Sequence, residues 1–274
     1  MNSKREKETV LRNKTQQEIK CKPQSDNKNV RKLDFDVNDI ISFGDKAEAR
    51  TYLEKHYKFD AFANETEFLE CLKGFAKQGD PIMQNLLGVC LCAGYGCEEN
   101  PHKALQWWTK AAEQGEVCSQ RCLGGCYFKG DLGVRKNYKK AVYWLEKAAF
   151  QNDNESQMML GECYRMGHGC DKNLKKATFW YTKAAEMGNS EAMYILGVCY
   201  YNGDGVRKSR KRAFEYFKMA AEEGHPDAQY QLANFYLHGC SVKADTWKAW
   251  ELFNKAAVQG HEEAKKLVND ILSD

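Results

Sequence analysis

The stretch Leu160–Gly188, LGECYRMGHGCDKNLKKATFWYTKAAEMG, decides the fold, because it returns 36 residues later as Leu196–Gly224, LGVCYYNGDGVRKSRKRAFEYFKMAAEEG. Its two marks run outward from there. Ala-Ala pairs begin at Ala111, Ala148, Ala184, Ala220 and Ala256, and Leu-Gly pairs at Leu87, Leu123, Leu160 and Leu196, closing with Leu232-Ala233. Every interval is 36 or 37 residues. Phase-locked self-similarity of that size marks an array of stacked units. The one extra residue falls in Gly130-Asp131-Leu132-Gly133, where later units carry Gly167-His168-Gly169 and Gly203-Asp204-Gly205. A surface loop absorbs such an insertion.

Each unit reads as two helices. The first carries Leu-Gly-x-Cys-Tyr and stops at Gly130, Gly167 or Gly203, where glycine takes the positive φ that ends a helix. The second sets Ala104, Ala141, Ala177, Ala213 and Ala249 three positions before Trp107, Trp144, Trp180, Tyr216 and Leu252, then ends at Gly115, Asn152, Gly188, Gly224 and Gly260. Spacings of three and four place large and small residues on one stripe for close helix packing. Trp107, Trp108, Trp144, Trp180, Trp247 and Trp250 therefore read as core between repeats rather than as an aromatic cage.

This predicts an all-α, right-handed α/α superhelical solenoid of two-helix repeats. Five repeats fall at 80–116, 117–153, 154–189, 190–225 and 226–260, within 80–260. Residues 35–79 are expected to form N-terminal capping helices: one over Asp45–Tyr57, then a divergent repeat with an Asn64–Glu67 capping box. Residues 261–274 are expected to form a C-terminal cap, since each unit of an array buries its apolar face only against neighbours. Residues 1–34 hold ten basic and five acidic residues and no aromatic, which predicts a disordered basic tail.

Composition narrows the function. The 274 residues carry 41 Lys and Arg against 38 Asp and Glu, and 43 % are hydrophobic. That balance gives no general drive toward nucleic acid or anionic membrane. No apolar run approaches the roughly 18–20 residues that span a bilayer. The basic N-terminus has no apolar segment behind it, so no Sec-type signal peptide is expected. The reading is a cytoplasmic protein, and the 12 cysteines are expected as reduced thiols.

The repeats resemble the Sel1-like repeat family, a relative of the tetratricopeptide repeats, over roughly residues 60–274. The pattern is L-G-x-x-Y, a Gly-x-Gly loop, a basic residue, K-A, then W-x-x-K-A-A-x-x-G. The resemblance implies a scaffold or adaptor and no shared reaction. Secreted, cysteine-rich members staple each repeat with two cysteines eight residues apart. The matching pairs here are Ala112 and Gln120, Ala149 and Gln157, Ala185 and Met193, Ala221 and Gln229, so that subfamily is a poor match.

Chemistry-bearing patterns are sparse. Cys90, Cys126, Cys163 and Cys199 share one register, with Phe235 in the fifth unit, as a buried apolar slot would. Cys118, Cys122 and Cys126 lie on one helix, but a single helix supplies only part of a tetrahedral shell. The six histidines form no metal-binding or catalytic pattern, and no nucleophile elbow, phosphate loop or dinucleotide fingerprint occurs. The expectation is a protein that is not an enzyme, with no cofactor and no metal. The alternatives are a hydrolase with a site in the groove, or an RNA- or anion-binding module using Arg135–Lys140 and Arg207–Arg212. Repeats one and five lack comparable basic runs, so no continuous basic stripe is expected and nucleic acid is disfavoured as a partner.

A superhelix of this kind has an inner wall lined by its first helices. Positions −2, +2 and +5 from the Leu of Leu-Gly vary between units and share one helix face. From them comes a candidate groove for a protein or peptide partner: Arg121, Phe128, Met158, Glu162, Arg165, Tyr194, Val198, Tyr201, Tyr230 and Asn234. The arginines are expected to meet an acidic feature and the tyrosines to supply contact area, since these types carry interface energy.

Overall fold

A computed structural model describes residues 65–273. The tail over 1–34, the helix expected over Asp45–Tyr57 and the Asn64–Glu67 capping box lie outside the described residues and side chains. Twelve α-helices and no strand occur among the described residues. The first helices of successive pairs are α2 (Pro81–Ala93), α4 (Val117–Lys129), α6 (Asn154–Met166), α8 (Ser190–Asn202) and α10 (Pro226–His238). The second helices are α3 (Pro101–Glu113), α5 (Tyr138–Ala149), α7 (Leu174–Glu186), α9 (Arg210–Glu222) and α11 (Thr246–Val258). Helix α1 (Glu65–Lys77) precedes the pairs and α12 (Glu262–Ser273) follows them. Two compact units result. The first holds the described residues up to Cys126 with Gly130–Arg135, and the second holds Tyr127–Lys129 with Lys136 onward.

The caps are as periodic as the core. Asn100, Asn137, Asn173, Ser209 and Asp245 each accept a hydrogen bond from a backbone N–H in the first turn of a second helix. This satisfies a donor that the helix itself leaves unpaired. At the other end Asn152 takes φ 65°, close to the left-handed geometry of the glycines that end the other second helices.

Three of the pairs close on a ring through the glycine of Leu-Gly. A Cβ at Gly161 would stand 2.6 Å from the Tyr181 ring, and one at Gly197 would stand 2.5 Å from Phe217. In the first unit Gly88 meets Trp108 in the same way, at 2.5 Å. Those rings sit one position beyond the aromatic series read from the sequence. The residue lying on the glycine is Trp108, Tyr181 or Phe217, while Trp180 beside Tyr181 and the equivalent Trp144 are also buried. Trp247, expected in the core, is 71 % exposed and stacks on Trp250 at 5.4 Å.

The buried glutamines of the first helices reach back eight residues. Gln84, Gln120, Gln157 and Gln229 donate from Nε2 to the carbonyls of Ala76, Ala112, Ala149 and Ala221 at 3.0, 3.0, 3.2 and 3.4 Å. Three of these pairs occupy the positions that the cysteine-rich relatives staple. A hydrogen bond there ties the end of one pair to the start of the next, and it satisfies a buried amide that would otherwise be costly.

Candidate partner-binding surface

The candidate stripe divides by unit. In the first unit Asn85, Val89 and Cys92 are buried, with Asn85 Oδ1 accepting from Ser119 Oγ at 2.9 Å. Arg121, on α4, is only 8 % exposed. That corrects its reading as a contact residue, because little of the side chain is available to a partner. In the second unit Met158, Glu162, Tyr194, Val198, Tyr230 and Asn234 are half-buried, as is Phe128, whose ring meets Tyr138 and His168 edge-on. Arg165 is exposed, Tyr201 is 42 % exposed and Leu237 is 38 % exposed.

Local networks fix the stripe's chemistry. Arg165 donates from Nε to Glu162 Oε2 at 2.7 Å and from Nη2 to Oε1 at 2.6 Å. The Tyr181 hydroxyl donates to the same carboxylate at 3.0 Å. The Arg165 guanidinium, with Tyr181, holds the Glu162 carboxyl below the usual carboxylate range although burial opposes this. Arg165 is therefore paired within its own helix while its side chain stays exposed. Burial, followed by Glu162, raises the Tyr181 phenol and keeps it the donor.

The two half-buried tyrosines rest on histidine caps. Tyr194 stacks on His225 at 4.7 Å and Tyr230 on His261 at 4.4 Å. His225 Nδ1 accepts from the Ala228 N–H at 3.3 Å, which assigns the Nε2 proton to the bond with Glu191 Oε2 at 2.8 Å. His261 repeats the arrangement: Nδ1 accepts from Ala264 N–H at 3.2 Å, and Nε2 faces Asp227 at 3.3 Å. Sequence reading had left both histidines unassigned. The signal was their position, 36 residues beyond the Asn189 and His225 caps respectively.

The thiols are quiet. Cys90, Cys126, Cys163 and Cys199 are buried in one register. Burial pushes the Cys163 thiol up to about 12 and the Cys199 thiol up to about 11, far from the thiolate a nucleophile needs. Among the described residues, no three or more His, Cys, Asp or Glu side chains are placed to hold a metal ion. No described helix is long and apolar enough to cross a membrane.

The class defined by these features is an all-α solenoid of capped helix pairs, three of them closed by a ring lying on a glycine. The chain belongs to the Sel1 repeat family, whose pattern matches residues 81–116, 119–153, 154–189, 190–225 and 226–261. Proteins of this family generally act as protein-interaction scaffolds and are typically non-enzymatic. A Sel1 repeat protein from Oxalobacter formigenes is 36 % identical over 83 % of this chain and 88 % of its own, with a TM-score of 0.71. A protective antigen of uropathogenic Escherichia coli strains displaying an SLR fold is 28 % identical over 81 % of this chain, with a TM-score of 0.73. The present chain spans 47 % of that antigen. No curated protein matches the chain significantly.

Proposed function

We propose that this protein is a non-catalytic, cytoplasmic scaffold whose second unit holds a peptide or helix of a partner protein on the stripe along α6, α8 and α10. The observation carrying this reading is the +5 register. Phe128, Arg165, Tyr201 and Leu237 stand there one repeat apart, and the last two leave aromatic and aliphatic surface in solvent in a single register of successive first helices. Tyr201 and Leu237 supply apolar contact, the Glu162–Arg165 pair fixes a polar point beside them, and Met158 and Val198 line the floor. Tyr194 and Tyr230 offer one ring face each, the other being held by histidine.

The test is affinity capture from the native cell with the wild type and with the Arg165→Ala, Tyr201→Ala, Leu237→Ala triple variant. These side chains are the stripe's exposed ones, so circular dichroism should report unchanged helicity. A protein captured by the wild type and lost from the variant supports the reading. Undiminished capture by the variant rejects it.

A further inference from the structure

The loop-side edge of the second unit carries a charge pattern that sequence reading broke into two isolated runs. The repeat register restores a third. Lys136, Lys172 and Lys208 are equivalent, as are Lys139, Lys175 and Lys211, each set stepping by 36 residues. Packing then joins the repeats along this edge. A Cβ on Gly169 would stand 2.2 Å from the Tyr138 carbonyl oxygen and 2.8 Å from the Lys139 nitrogen, and one on Gly205 would stand 2.2 Å from the Leu174 oxygen. Each loop therefore lies against the first turn of the preceding second helix, and Tyr138 stacks on His168 across that contact at 4.3 Å. The basic runs form no stripe along the whole array, as expected, but loop packing brings the basic segments of the three middle repeats against one another.

All six lysines are exposed, and none forms an ion pair among the described residues. Lys183, Lys218, Lys255 and Lys265, on outer helix faces, each pair with a carboxylate three or four residues away. The next register of the edge is used internally. Lys140, Lys176 and Arg212 sit over the rings of Tyr127, Tyr164 and Tyr200 at 5.1, 5.0 and 5.3 Å, a cation–π contact repeated in each pair. The first turns of α5, α7 and α9 contain no acidic residue. Lysines there oppose the helix dipole. The fold thus concentrates positive charge on one edge without pairing these lysines to carboxylates, although Lys136 and Lys208 lie over the Tyr138 and Tyr201 rings at 5.7 and 6.0 Å. The strip ends where the next repeat substitutes Ala244 and Trp247.

We infer that this edge docks an extended, acidic segment of a partner protein, on a surface that meets the stripe described above where Lys208 lies over the Tyr201 ring at 6.0 Å. Charge complementarity names the anion. The tyrosines favour peptide over single-stranded nucleic acid. Tyr127, Tyr164 and Tyr200 are already covered by cations and Tyr138 by His168, so successive bases would find few free rings to stack on. Lysine ammoniums are point charges that suit flexibly presented Asp and Glu carboxylates.

Fluorescence anisotropy of a labelled Glu-rich peptide against the full chain tests this. The wild type should bind, with affinity falling as salt rises. Replacing Lys136, Lys139, Lys172, Lys175, Lys208 and Lys211 by Gln should weaken binding at least about tenfold. A control with Lys73, Lys110, Lys183, Lys218, Lys255 and Lys265 changed to Gln, equal in net charge, should bind nearly as the wild type does. Absence of wild-type binding, equal affinity of the two variants, or tighter binding of a charge-matched single-stranded oligonucleotide than of the peptide would overturn the inference. The edge variant keeps Arg165, Tyr201 and Leu237, so failure here leaves the stripe reading to its own test.

Discussion

Val89 and Val198 are the same residue in the same register, two positions beyond the leucine of Leu-Gly, yet Val89 is 1 % exposed and Val198 is half-buried. Their neighbours divide in the same way. Asn85, Cys92 and Arg121 of the first unit are buried, whereas Met158, Arg165, Tyr201 and Leu237 of the second reach solvent. Equivalence in a repeat fixes where a side chain points along its helix. Whether anything covers it depends on the surroundings, so one stripe serves the core in one unit and offers a surface in the other.

Substitutions should separate the two roles. The largest effect falls on the ring that closes the first unit. Trp108→Ala, at a fully buried ring on Gly88 with Nε1 donating to the Asn85 carbonyl at 3.2 Å, should cost about 3–5 kcal/mol. Tyr201→Ala should stay within about 0.5 kcal/mol. Urea unfolding followed by circular dichroism reads both, and comparable losses would erase the distinction.

The glycines extend the contrast. Gly161→Ala drives a methyl into the Tyr181 ring and should cost about 1–3 kcal/mol. Gly125→Ala on the stripe has nothing within 4 Å of the new Cβ and should be neutral, or stabilising by about 0.5–1 kcal/mol through helix propensity. Next in size, Val89→Ala should cost about 1.5 kcal/mol from two lost methyl groups, with Val198→Ala costing about half of that; denaturation midpoints check the ratio.

The smallest effect is a pH dependence confined to the open stripe. Glu162 is held below its ordinary range by Arg165, so its contribution is present above the unfolded carboxylate value. It is lost as pH falls through the lower folded one. Because the pair is partly exposed, this is less than about 1 kcal/mol. Glu162→Gln should flatten that part of the acid limb of a stability–pH curve, and an unchanged limb would remove the pair from the account.

Much of the fold was legible because repetition averages out local ambiguity. The Leu-Gly and Ala-Ala intervals located the helix pairs, and Asn152 fell at a left-handed cap as its alignment with Gly188 required. The ring on the glycine was not read from the sequence, because Trp180 and Tyr216 stand out at the repeated spacing while Tyr181 and Phe217, the next residues, are the ones that touch. The site was less legible. Variation between repeats marks a position freed from the repeating core, as at Arg121, without showing whether another part of the protein buries it. The Glu162–Arg165 pair, one helical turn apart, was readable in principle from the i, i+3 rule. The basic edge stayed hidden because Lys172 and Lys175 look unremarkable until the loops at Gly169 and Gly205 pack against the helix starts at Tyr138 and Leu174.

The central claim is that the second unit's first-helix stripe is where a partner sits, and site-directed photo-crosslinking in the native cell tests it most directly. A benzophenone side chain at position 201 should yield a discrete protein adduct, while the same group at position 258, where Val258 is 89 % exposed on α11, should yield none. An adduct from 258 and none from 201 would contradict the account.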